Sequence, residues 1–84
     1  MVPKLSKKAH KLQLGLYQHY KGGLYTLEEV AFHHESLEEW VVYRAEYGEK
    51  LLFLRPLEMF LEEVEINGVK QPRFLFVGEK ETIV

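Results

Sequence analysis

Apolar and polar residues along this chain alternate mostly with the short period of β-strands, and glycine-bearing turns separate the runs. At the start, Leu5, Ala9 and Leu12 line one side of one or two helical turns, which Gly15 would end. From Gly15 the pattern becomes β: "LYQHY" stops at "KGG", and "LYTLEEVAFHH" follows. "ESLEE" is a polar break. "WVVYRAEY" is β-branched and aromatic and ends at Gly48, with Val41, Tyr43 and Ala45 on one face and Trp40, Val42 and Arg44 on the other. In "KLLFLR", four consecutive apolar residues point to burial on both faces, as in a central strand or a small barrel. "RPLEMFLEEV" predicts a helical turn over 56–61, with Pro56 at a favoured first position, and then a strand through Ile66. Asn67-Gly68 is a strong two-residue hairpin signal, "RFLFV" a closing strand, and "GEKETIV" a loose end.

Five or six short strands with one helical turn and an N-terminal helix predict a mainly β fold. Its expected form is a small antiparallel SH3-like barrel or a strongly bent sheet, both of which limit exposed edges. The expected organisation is a basic segment over 1–14, a single β domain over 15–77 and a tail over 78–84. The 84 residues allow one core, and a 46% hydrophobic content with eleven aromatic residues is enough to fill it. The lysine-rich start supplies little of that core and is expected to be dispensable for folding.

Charge narrows the functions. Residues 1–27 hold five lysines and no acid, whereas the remainder holds six basic residues against thirteen glutamates. An acidic body disfavours a broad, non-specific hold on nucleic acid, which depends on phosphate neutralisation. There is no cysteine and no aspartate, so disulfides, thiolate chemistry and an aspartate-held magnesium are absent. No apolar run reaches the roughly 20 residues of a membrane span, and the start lacks a signal-peptide core; the expected location is cytoplasmic, with no membrane partner.

Candidate chemistry gathers at the "QHYKGGLYTL" turn. Alternation puts Tyr17, His19 and Lys21 on one side and Gln18 and Tyr20 on the other. The glycines serve the turn, and no phosphate-loop pattern accompanies them. Arg44, Arg55 and Arg73 are the only arginines. Each could bind a carboxylate or phosphate with its planar fork, or be held by one of the many glutamates. His33, His34 and Glu35 have metal-ligand chemistry, but only His33 and Glu35 share a strand face, and two ligands do not close a site. The two serines, Ser6 and Ser36, have no nucleophile-elbow context, and no cofactor or metal is expected.

The blocks "GLYQHYKGGLYTL", "HHESLEEWVVYRAEYG", "RPLEMFLEEVEINGV" and "PRF" together resemble the small bacterial proteins called domain of unknown function 1653, over residues 15–77. Gln18 and Phe53 depart from that pattern, which has arginine and tryptophan there; the first departure removes a charge beside His19. The resemblance implies a compact β domain with no established activity. The combined expectation is a non-catalytic recognition module. It would take an anionic ligand (nucleotide, nucleic acid or peptide carboxylate) at His19, Tyr20, Lys21, Arg55 and Arg73. The alternative is a structural or oligomer-forming accessory protein, a homodimer among them, with a small hydrolase last.

Overall fold

The structure, a computed structural model, describes residues 4–79. Its elements in chain order are α1 (Lys7–Lys11), β1 (Gly15–His19), β2 (Leu24–Phe32), β3 (Glu39–Ala45), β4 (Leu52–Pro56), α2 (Leu57–Phe60), β5 (Glu63–Ile66), β6 (Val69–Pro72) and β7 (Phe74–Gly78). Every strand pairing is antiparallel. A five-stranded sheet runs β4-β3-β2-β1-β7, and β5-β6 forms a separate hairpin. Among the described residues no helix is long and apolar enough to cross a membrane.

The predicted turns account for this topology. Asn67 (φ 53°) and Gly68 (φ 80°) both take the left-handed conformation, as a two-residue hairpin turn requires. Pro56, at φ −55°, precedes the single turn of α2 and closes β4. At Gly15 (φ 132°) the backbones of β1 and β7 come so close that a Cβ would lie 2.7 Å from the carbonyl oxygen of Gly78. Only glycine fits where β7 returns to the sheet.

The expected barrel does not close. β4 and β7 are the two ends of an open sheet, because the chain after α2 spends its next two strands on a hairpin of their own. The expected burial of β4 on both faces fails for the same reason. Leu51, Leu52, Phe53 and Leu54 are all exposed, since among the described residues β4 has a neighbour on one side only.

The core lies on one face of the sheet. Tyr17, Leu27, Val41, Tyr43 and Phe74 supply that face, and Leu57 and Phe60 of α2 pack onto it. Phe60 stacks on Phe74 at 4.4 Å and meets Tyr17 edge-on at 5.1 Å. α1 adds a buried Ala9, with Leu5 and Leu12 packed beside it. Ser6 caps α1: its Oγ accepts the Ala9 N–H at 3.2 Å. The Ser6 N–H and hydroxyl both donate to the Glu39 carboxylate at 2.7 Å, tying α1 to β3. The basic start therefore adds a small apolar stripe to the core. Its lysines are exposed, but its apolar stripe is docked. At the other end β7 runs to Gly78, and residues 80–84 of the expected tail lie outside the described residues.

Candidate functional site

His19 is the last residue of β1, and the turn after it fixes its surroundings. The His19 N–H donates to Gly23 O at 2.8 Å, and Gly22 N–H donates back to His19 O at 2.7 Å. Alternation stops here, so Tyr20 does not take the opposite face as a continued strand would require. Its N–H instead donates to Arg73 O at 2.9 Å, and its ring lies 4.5 Å from the imidazole, tilted by 34°. The Phe74 ring meets the imidazole edge-on at 4.9 Å. Lys21 N–H donates to His19 Nδ1 at 3.2 Å. An Nδ1 that accepts a hydrogen bond leaves the proton of the neutral ring on Nε2, as a free donor.

Cations approach this imidazole from three segments of the chain. Lys21 Nζ stands 5.7 Å from the Tyr20 ring centre, and the Arg73 guanidinium 6.0 Å from the same ring. Arg55 arrives from β4. Its guanidinium lies 5.4 Å from the Phe74 ring centre, and its Nε–H donates to the Tyr43 hydroxyl at 3.2 Å. Partial burial holds the His19 pKa below its ordinary value, and Arg55, Arg73 and Lys21, in that order, push it further down. The structure thus brings His19, Tyr20, Lys21, Arg55 and Arg73 into one neighbourhood. Arg44 is elsewhere, held by Glu28 at 2.7 Å and by Lys50 O at 2.8 Å.

The three cations differ in how they are balanced. Arg73 pairs with Glu62 at 3.2 Å. Among the described residues no carboxylate pairs with Arg55 or Lys21. The three charges that lower the His19 pKa are all positive.

A hollow of about 300 Å³ borders His19 and Tyr20 but none of the three cations. A second hollow, about 770 Å³, lies between α1, α2 and the β2–β3 turn. There Lys4 and Lys8 face Glu38, Glu39, Glu58 and Glu62, so it is not an anion site. The cations instead surround His19 across an open surface.

Sequence reading missed the aromatic floor of that surface. Tyr25 lies at its centre, 5.5 Å from Tyr43, 5.5 Å from Tyr47, 5.7 Å from Phe74 and 6.5 Å from Phe53. The Tyr25 and Tyr47 hydroxyls are hydrogen-bonded to each other. Burial first, and then that bond, push the Tyr25 hydroxyl pKa up to about 12, so it remains a donor. Tyr47 and Phe53 are half exposed. Alternation in "LFLR" already puts Phe53 and Arg55 on one face; the register Tyr43↔Phe53, which joins that face to Tyr43, was not legible. His33, by contrast, sits at the β2–β3 turn, with Nδ1 accepting Ser36 N–H at 3.3 Å and its ring 5.8 Å from Trp40. Among the described residues no group of three histidine or carboxylate side chains could hold a metal ion.

Comparison with known proteins gives a family and a fold. The family model described as "Protein of unknown function (DUF1653)" matches residues 15–76. The crystal structure of a DUF1653 protein from Bordetella bronchiseptica is similar at 31% identity and a TM-score of 0.78, covering 89% of this chain and 99% of that one. No curated protein matches the chain.

Proposed function

The chain belongs to the DUF1653 family of proteins of unknown function, and on that premise we propose that it is a non-catalytic recognition module for an anionic group, bound on the open aromatic surface around His19. Arg55 carries this reading. In a protein with thirteen glutamates, its guanidinium stands on a ring face with a tyrosine hydroxyl as its partner and, among the described residues, no carboxylate. A planar fork left unpaired over aromatic surface is the arrangement that takes a phosphate or carboxylate bidentately. The neighbouring groups suit the same ligand. The His19 Nε2–H and the Tyr25–Tyr47 hydroxyl pair offer donors, Lys21 adds positive charge, and the exposed faces of Phe53 and Tyr47 accept a planar ring. A nucleotide, a nucleic-acid phosphate or a peptide carboxylate each meets these requirements.

Isothermal titration with inorganic phosphate, AMP and a short peptide with a free C-terminus tests the reading. At least one should bind, and more weakly as salt rises, because exposed charge contacts are screened. A charged hydrogen-bond pair contributes about 1.5–3 kcal/mol, so Arg55→Ala should weaken binding by roughly 10- to 100-fold. Lys21→Ala should do less. No heat with any of the three probes, or full affinity in Arg55→Ala, would show that Arg55 binds nothing.

A further inference from the structure

We propose that the protein forms a homodimer by antiparallel pairing of β4 with β4 of a second copy, in the register that sets Phe53 opposite the partner's Phe53. The premise is the exposed edge itself. Leu51, just before β4, and Leu52, Phe53 and Leu54 on it are 57%, 50%, 42% and 64% exposed, and among the described residues β4 is bonded along one side only. Soluble proteins guard such edges with charges, bulges or proline. No charge interrupts residues 51–54, and the proline comes only at position 56. The opposite edge strand, β7, is guarded by an irregularity in its pairing between Leu16 and Tyr17.

The hydrogen-bond phase identifies the occupant. Ala45 N–H donates to Leu51 O, and the register continues through Tyr43↔Phe53 and Val41↔Arg55. In an antiparallel ladder the bonded pairs alternate with unbonded ones, so Leu51, Phe53 and Arg55 turn their backbone groups toward β3. Leu52 and Leu54 turn theirs to the open edge, where no other backbone hydrogen bond reaches them among the described residues. A two-fold axis normal to the sheet keeps like faces together. It can therefore pass through a residue of β4, but not between two. Centred on Leu54, it would set Leu52 against the partner's Pro56, which has no N–H to give. Centred on Phe53, it sets Leu52 against the partner's Leu54 and Leu54 against the partner's Leu52. Each of these pairs exchanges two bonds, so all outward N–H and C=O groups of both residues are satisfied.

The side chains agree with that register. On one face the leucines at 52 and 54 from both copies form a single apolar cluster. On the other face the two Phe53 rings stand side by side, and Arg55 lies opposite the partner's Leu51 rather than a like charge. The strand is thus self-complementary in hydrogen bonds, shape and charge, which a second copy of this chain satisfies by symmetry.

Sedimentation velocity on the full chain, from about 1 to 100 µM, should show a rise from one to two chain masses. Leu54→Lys places a charge on the cluster and should hold the chain monomeric throughout, with its circular dichroism spectrum unchanged. Cysteine placement then reads the register, since the chain has no cysteine of its own. Directly opposed, unbonded residues have Cα atoms about 4.5 Å apart, within disulfide range. Phe53→Cys should therefore cross-link to a dimer under mild oxidation, and Leu54→Cys, displaced by two residues from its copy, should cross-link far more slowly. A chain that stays monomeric at every concentration overturns the proposal. So does a dimer that survives Leu54→Lys, or one cross-linked through position 54 in preference to 53.

Discussion

Replacing Phe60 by alanine should remove much of the stability of this domain, although Phe60 belongs to a helix of only four residues. So short a helix does not persist by its own hydrogen bonds, so tertiary packing must hold it. Phe60 is 1% exposed and contacts three rings: Phe74 stacked at 4.4 Å, Tyr17 edge-on at 5.1 Å and Tyr43 tilted at 5.8 Å. Truncating a buried phenylalanine to alanine costs about 3–5 kcal/mol, as lost transfer energy plus the cavity left behind. At about 0.05–0.15 kcal/mol per residue, a chain of this length has roughly 4–13 kcal/mol in total. The loss is therefore about a quarter of the stability or more, and the melting temperature should fall by roughly 12–40 °C. Phe60→Leu keeps most of the volume and gives up the ring contacts, for about 1–2 kcal/mol. Met59, its neighbour on the helix, is 50% exposed, and Met59→Ala should stay within about 0.5 kcal/mol of the parent. Urea unfolding with a common slope measures all three. If Phe60→Ala cost no more than Met59→Ala, α2 would not be part of the core and the packing derived above would be wrong.

Two further outcomes follow from particular contacts. Ser6→Ala removes the α1 cap and the tie to Glu39, and should lower stability by about 1 kcal/mol, seen as a melting shift of about 4–8 °C; an unchanged melting curve would mean that α1 is not docked. His19 should titrate below the ordinary histidine value near 6.5, because its folded pKa is lowered. The unfolded chain then takes up the proton first as pH falls. The contribution of His19 to stability is complete above about pH 6.5 and declines below it, until the folded pKa is reached. Imidazole proton shifts followed by NMR would show this midpoint, and bound phosphate should raise it by offsetting the three cations. A midpoint at or above the unfolded value would contradict the positive surroundings assigned to His19.

Local chemistry was enough to place the elements. Gly22 set the first turn, and Asn67-Gly68 set the last hairpin, because few residues tolerate the positive φ needed there. Alternation put Val41, Tyr43 and Ala45 on one face, since side chains on a strand must point to opposite sides, and that face is the buried one. The stripe of Leu5, Ala9 and Leu12 was likewise legible, but not that it docks. Docking depends on Glu39, more than thirty residues away, receiving the Ser6 N–H and hydroxyl.

Strand neighbours were the part that only the tertiary structure decided. "LLFL" reads the same in the middle of a sheet and at its edge, because an apolar run records what a strand can bury and not which strands lie beside it. Barrel closure depends on where β7 returns, and β7 joined β1 rather than β4. The candidate site was split in the same way. His19, Tyr20 and Lys21 are neighbours in sequence, so their proximity was legible. Arg55 reaches Phe74 and Tyr43 because strand register brings them together across the sheet, and Arg73 reaches Tyr20 because β7 pairs with β1. Those long-range pairings arise from packing a particular set of side chains onto one face. They are a property of the whole chain, and no local pattern of residues encodes them.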